Sequence, residues 1–192
     1  VHLPQADYPP VEVWRSEFHG SYALRHDLLA GPIPWQFAYA SVLYAELPWK
    51  TGFDEYNDRA QVDDDRTWRQ FLAAVSDVIT DAKQPAVVLV GPHAVPYLPD
   101  PDQNIPVILA HLPKPPTVRA LVYRTRVAEV PDNTELLTWL AGQYSCIGDF
   151  CCGYGWSGRI FAENGGTFVL SDYNPRCIGY IAAHGTDWHE PA

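Results

Sequence analysis

The chain has 192 residues, enough for one domain spanning 1–192, and its 47% hydrophobic and 19% charged content excludes a disordered chain. A net charge of −10, from 13 basic and 23 acidic residues, opposes direct binding to a phosphate backbone, with Arg119, Arg124 and Arg126 as the one small basic grouping. No run approaches the ~20 apolar residues of a membrane span, and Val1-His2-Leu3-Pro4-Gln5 lacks the pattern of a secretory signal, so a cytoplasmic protein is expected.

Prolines punctuate the chain at Pro9-Pro10, at Pro32-Pro34 and through Pro92 to Pro116, the last marking a long irregular connection. Between these marks, Val11-Trp14 reads as a short strand and Tyr22-Leu29, closed by Gly31, as a helix. Ala38-Ala45 is apolar and bounded, which predicts a buried strand. After the capping acids Asp63 to Asp65, residues Trp68, Phe71, Leu72, Val75 and Ile79 share one helical face. Ala86-Val90, Val107-Leu109 and Val118-Tyr123 read as strands. Asp132-Asn133-Thr134-Glu135 has capping-box spacing and opens a helix that buries Leu136, Leu137 and Leu140. Cys146-Asp149 is a strand leading into a glycine turn, followed by a helix to Asn164 and a strand over Thr167-Leu170. Asn174-Pro175 then caps a last helix ending at Gly185. Strands alternating with helices predict an α/β fold with a mostly parallel sheet covered on both faces.

The chemistry concentrates in Ile147-Gly148-Asp149-Phe150-Cys151-Cys152-Gly153-Tyr154-Gly155. A strand ends at an acid, a Gly-x-Gly turn follows, and glycines there let the backbone take positive φ close to a ligand. Asp172 ends the next strand 23 positions after Asp149, the spacing at which an acid bonds ribose hydroxyls in nucleotide-binding α/β folds. An ordinary tight turn with Asp172 as a helix cap is the plainer alternative. Gly158, three after Gly155, formally completes a dinucleotide fingerprint, which keeps an NAD-type oxidoreductase in view. Asp149 before the turn argues instead for S-adenosylmethionine (SAM), because a carboxylate there suits a cationic amino-acid moiety and would repel a pyrophosphate.

Asp149-Phe150-Cys151-Cys152-Gly153-Tyr154-Gly155 resembles the Asp-Pro-Phe-x-Gly-x-Gly motif of the SAM-dependent amino-methyltransferases that modify adenine N6 or cytosine N4. Asp172-Tyr173-Asn174-Pro175 is similar to the acid-x-Asn-Pro after their second strand. The resemblance implies that Asp149, Phe150, Cys151, Gly153, Gly155, Asp172 and Asn174 bind SAM. Phe150 stands where proline is usual. The family's Asp/Asn/Ser-Pro-Pro-aromatic tetrapeptide is matched by Glu46-Leu47-Pro48-Trp49, with Glu for Asp and Leu for the first proline. By that likeness Glu46 and the Pro48 carbonyl accept hydrogen bonds from a target amino group, and Trp49 stacks on the base.

The tetrapeptide precedes the glycine turn, as in the beta-class order of this family. The likeness therefore implies a Rossmann-like methyltransferase sheet with an antiparallel edge, built from a circularly permuted chain. The family's usual Lys-Pro is missing at the Asp132-Leu137 helix start. Only the stretch from Pro92 to Pro116 stands where a target-recognition insertion would be. Asp54, Glu55, Asp58, Asp63, Asp64 and Asp65 outnumber Lys50, Arg59 and Arg66 after Trp49, so DNA as substrate implies a basic partner protein; a nucleotide or small aromatic amine suits the charge better. The altered tetrapeptide also admits a SAM-binding scaffold subunit without catalysis. An oligomer is compatible with either.

Other groupings are weaker. His184, Asp187 and His189 cluster near the C-terminus, yet no metal site is expected. Cys146, Cys151, Cys152 and Cys177 have no disulfide or zinc spacing, and no histidine is paired with Cys151 or Cys152 to make a nucleophile. Trp14, Trp35 and Trp49 are candidates for stacking on bases.

Overall fold

A computed structural model describes residues 8–16, 20–49, 53 and 67–185. The strands are β1 (Val13–Arg15), β2 (Tyr22–Arg25), β3 (Val42–Glu46), β4 (Ala86–Val90), β5 (Gln103–Ile108), β6 (Thr117–Tyr123), β7 (Cys146–Asp149) and β8 (Thr167–Asp172). The helices are α1 (Trp68–Asp81), α2 (Asn133–Gln143), α3 (Trp156–Glu163) and α4 (Pro175–His184). All these strands join one sheet in the order β1-β2-β8-β7-β3-β4-β6-β5. From β2 to β4 the neighbours run parallel, while β1 and β6 pair antiparallel with β2 and β4.

Residue type explains the central strands. All five residues of Ala86-Val-Val-Leu-Val90 are buried, which is the unbroken apolar run of a parallel strand covered on both faces. One face packs on α2, α3 and α4 through Leu136, Leu140, Phe161, Ile178 and Ile181. The other packs on α1 and on a 3-10 turn over Trp35–Tyr39, through Leu72, Val75, Ile79 and Phe37. Leu136, Leu137 and Leu140 are all 0% exposed, each burial stabilising by about 1.5–3 kcal/mol. Asp132 caps α2, accepting the backbone N–H groups of Thr134 and Glu135 at 2.9 Å each. The Glu135 side chain completes no box.

Several expectations need correction. Tyr22–Leu29 is not a helix: Tyr22–Arg25 is a strand, paired antiparallel with β1 and parallel with β8. Tyr22, Ala23 and Leu24 are more at home as a strand between two partners than as one turn of helix, and His26 to Leu29 form the turn beyond it. The strand expected over Ala38–Ala45 starts later, at Val42, because Trp35–Tyr39 closes a 3-10 turn first. The proline-rich connection is more regular than expected, holding a 3-10 turn at Val95–Tyr97 and all of β5. The cap of α1 is Thr67, in a reciprocal capping box with Gln70. Asp63 to Asp65, the acids from Asp54 to Asp58 and the pair Asp187 and His189 lie outside the described residues.

Topology places the site. The chain runs from β2 across a gap to β3, moves outward through β4, and returns by α2 to fill the gap with β7 and β8. Strand order thus reverses between β7 and β3. In open α/β sheets, ligands bind at such a reversal, beyond the carboxyl ends of the strands.

Candidate cofactor and substrate cleft

The carboxyl ends of β2, β8, β7 and β3 open onto one narrow, partly open cleft. Its walls come from the turn His26 to Leu29, from Asp172 and Tyr173, from Phe150 and Cys151, and from Glu46 and Pro48. Phe53 and Phe71 close its apolar side. Residues from both motifs of the sequence, more than a hundred positions apart, therefore share one wall.

The glycine turn is held by the two acids. Asp149, at the tip of β7, is 2% exposed; its carboxylate accepts the Cys151 N–H at 3.0 Å and the Ser157 hydroxyl at 2.5 Å. Asp172, at the tip of β8, accepts the Gly153 N–H and the Asn174 N–H, each at 2.9 Å. Gly153 and Gly155 both have positive φ, 51° and 82°, which is why the pattern needs glycine there. Asn174 caps α4 by accepting the Arg176 N–H at 3.0 Å. Gly158 has a packing role: a Cβ on it would lie 2.7 Å from Leu170 Cδ1, so its absence lets α3 seat on β8.

No Lys or Arg among the described residues forms an ion pair with either acid. Burial pushes Asp149 up to about 7, partly opposed by its bonds from Ser157 and Cys151. Burial likewise pushes Asp172 up to about 6, against the bonds from Asn174 and Gly153. The Tyr44 hydroxyl is buried without a hydrogen-bond partner among the described residues, and its pKa is raised by burial and then by Glu46 and Asp149. His26, on the cleft wall, has its Nε2 buried without a partner among the described residues, and desolvation lowers that ring's pKa.

The tetrapeptide divides. Glu46 and Pro48 line the cleft, whereas Leu47 is 5% exposed in the core on the α1 face. Trp49 is not on the cleft wall: its ring lies 3.3 Å from where a Cβ on Gly91 would be, with His93 edge-on at 6.3 Å. Trp14 stacks on Phe168 at 5.9 Å, and Trp35 is 66% exposed. Glu46 is also bonded away from the cleft, its Oε1 lying 3.3 Å from His111 Nε2 and its Oε2 3.5 Å from Asn133 Nδ2. The Glu46 hydrogen bond raises the His111 pKa against the effect of burial.

The cysteines are free thiols, and burial raises Cys151 and Cys152 well above the ordinary range, which disfavours their thiolate forms. No group of three or more metal-ligating side chains occurs among the described residues. Sequence reasoning missed His26 to Leu29, because a helix was expected there, and it missed His111 and Asn133. Asn133 carried one signal, a polar residue inside a cap that the helix face turns inward.

No protein-family model and no curated protein matches the chain. Solved structures do. M1.HpyAVI superimposes with a TM-score of 0.50 at 10% identity, covering 77% of this chain and 87% of its own. The M1.HpyAVI–SAM complex gives 0.51 at 8% identity, covering 88% and 98%. A protein of Thermus thermophilus assigned as a DNA modification methylase, complexed with S-adenosyl-L-methionine, gives 0.49 at 12% identity, covering 86% and 91%. At these identities the likeness speaks to architecture alone: the chain has a Rossmann-like α/β fold similar to that of M1.HpyAVI.

Proposed function

We propose that this chain is a SAM-dependent methyltransferase acting on an exocyclic amino group of a nucleobase, with SAM in the cleft between Asp172 and Glu46. The observation that carries the reading is that one cleft, at the reversal of strand order, joins Asp172, the acid that fastens the glycine turn, to the tetrapeptide acid Glu46 and to Pro48. The residues fit a cationic nucleoside. Asp172, buried on the cleft wall, lacks a cationic partner among the described residues, and a cationic ligand in the cleft offsets the cost of its ionisation; Asp149 lies off the wall and supports the turn from behind. Gly153 and Gly155 keep the turn free of side chains. M1.HpyAVI, of similar fold, has been crystallised with SAM. The sheet order, with the last two strands in the middle, supports the beta-class, circularly permuted arrangement and a single domain without a target-recognition insertion.

Bound SAM supplies an electrophilic methyl group. Glu46 and the Pro48 carbonyl then accept the N–H bonds of the target amine, leaving its lone pair directed at the methyl carbon. Asp172 holds the Gly153 amide in place and offers its remaining lone pairs to ribose hydroxyls. Asp149 keeps the first turn of α3 in position through Ser157. The acidity of the chain favours a nucleotide or a base presented by a basic partner over free duplex DNA.

A second reading has its own observation. Trp49 lies off the cleft wall and Glu46 is already bonded to His111, as befits a SAM-binding subunit that does not turn over. Incubation with SAM and, separately, DNA, RNA and nucleotides separates the two. S-adenosylhomocysteine formed with any of them supports transfer, SAM binding without it supports the scaffold, and binding of NAD in place of SAM defeats both.

A further inference from the structure

Glu46 has neighbours on two sides. The cleft lies on one, and His111 and Asn133 stand on the other, outside the cleft wall. Asn133 is 0% exposed in the first turn of α2, and its Oδ1 accepts the Ala110 backbone N–H at 3.0 Å. A backbone N–H only donates, so this bond fixes the carboxamide with its oxygen towards Ala110 and its NH₂ group facing away. That NH₂ nitrogen lies 2.8 Å from His111 Nδ1. It too only donates, so Nδ1 accepts and carries no proton. The proton of the neutral ring is therefore on Nε2, 3.3 Å from Glu46 Oε1. Donation runs in one direction, from Ala110 to Asn133 to His111, whose Nε2 then lies in ion-pair contact with the Glu46 carboxylate at 3.3 Å.

We infer that His111, its tautomer set by Asn133, is the positioning residue that holds Glu46 in place as acceptor for the amine substrate. The inference rests on the methyl-transfer reading and extends it to two residues outside the cleft. It also answers a difficulty in the tetrapeptide. Glutamate has one more rotatable bond than aspartate, and Leu47 constrains the backbone less than proline would. Acceptors in such sites need placement to within about 0.5 Å. An imidazole N–H on Oε1, with the Asn133 amide near Oε2 at 3.5 Å, supplies the missing constraint from outside. The ring is itself steadied by Trp156, stacked at 6.2 Å and 29°. A carboxylate has about four acceptor sites, so Glu46 keeps lone pairs for a substrate N–H.

The test combines nitrogen-15 NMR of the histidine rings with kinetics of His111→Leu and His111→Gln in the full chain. Glutamine presents an amide donor close to the Nε2 position, and leucine presents none. At a pH above the raised pKa of the ring, where it is neutral, the wild-type ring shows a protonated Nε2 and a bare Nδ1. His111→Leu lowers kcat by about tenfold to a hundredfold, with KM and the calorimetric SAM affinity within about twofold of wild type, and His111→Gln recovers most of the loss. A neutral ring protonated on Nδ1, an unchanged kcat in His111→Leu, or equal losses in both variants with weakened SAM binding overturns the inference while wild-type turnover stands. A wild-type protein that binds SAM and methylates no amine overturns the methyl-transfer reading, and this role of His111 with it.

Discussion

The Asp172 carboxylate accepts the Gly153 N–H at 2.9 Å, so the second acid of the sequence pattern fastens the glycine turn that begins after the first. Its other oxygen accepts the Asn174 N–H. Removing this side chain leaves two N–H groups without an acceptor and removes the acid from the cleft wall. Asp172→Ala is expected to weaken SAM binding by ~2–3 kcal/mol, the scale of lost hydrogen bonds to a charged group. Asp172→Asn keeps one acceptor oxygen and loses less. Calorimetric titration of both variants measures this, and unchanged affinity in Asp172→Ala removes the residue from the site.

The paired burial of Asp149 and Asp172 makes stability depend on pH in a direction opposite to that of most carboxylates. Their folded-state values, about 7 and about 6, lie above the ordinary 3.8, so the folded state binds more protons than the unfolded one between these limits. The contribution is fully present below pH ~4 and is lost as pH rises through 6 and 7. Thermal unfolding of the ligand-free protein should show this loss from pH 5 to 8, and Asp149→Asn should flatten it and melt higher than wild type at pH 8. SAM affinity runs the other way, rising over the same window as the acids ionise. A wild type and an Asp149→Asn variant with parallel pH–stability curves would contradict the assignment.

Gly158 is a packing residue, the role that the third glycine of a dinucleotide fingerprint also has, so its contact does not by itself separate the two cofactors. A Cβ there would lie 2.7 Å from Leu170 Cδ1 and 3.1 Å from the Phe168 ring, at the contact of α3 with β8. Gly158→Ala is expected to cost about 1–3 kcal/mol as overpacking, read as a lowered denaturation midpoint. Gly142→Ala, where a Cβ meets nothing within 4 Å, is the control and should be neutral or slightly stabilising.

How much of this was legible follows from the range of each signal. The β7 to α4 segment read correctly because its information is local: an acid, two glycines needing positive φ, and the Asn174-Pro175 cap lie within thirty residues. Strand β4 read correctly for the same reason, as a run of five buried residues. Tyr22–Arg25 misled because only its pairing with β8, nearly 150 residues away, makes it a strand. The turn it delivers, His26 to Leu29, was lost from the expected site as a result. His111 and Asn133 were invisible for a related reason, since their meeting with Glu46 depends on the return of the chain through α2 to the middle of the sheet.

Glu46 decides between catalysis and scaffold. Its side chain is 27% exposed, bonded to His111 behind and open to the cleft in front. Glu46→Gln keeps the size and one acceptor oxygen, which His111 Nε2 can still address. It removes the charge that favours the developing positive charge on the amine nitrogen, and it sets a second amide NH₂ against Asn133. The expected result is a kcat reduced by about a hundredfold, with the affinity for SAM changed by no more than about threefold, because the contacts of Asp172 and the glycine turn are untouched. Single-turnover kinetics with pre-bound SAM isolates the chemical step. A variant that methylates as fast as wild type would remove Glu46 as the amine acceptor and leave Pro48 as the tetrapeptide residue still facing the cleft.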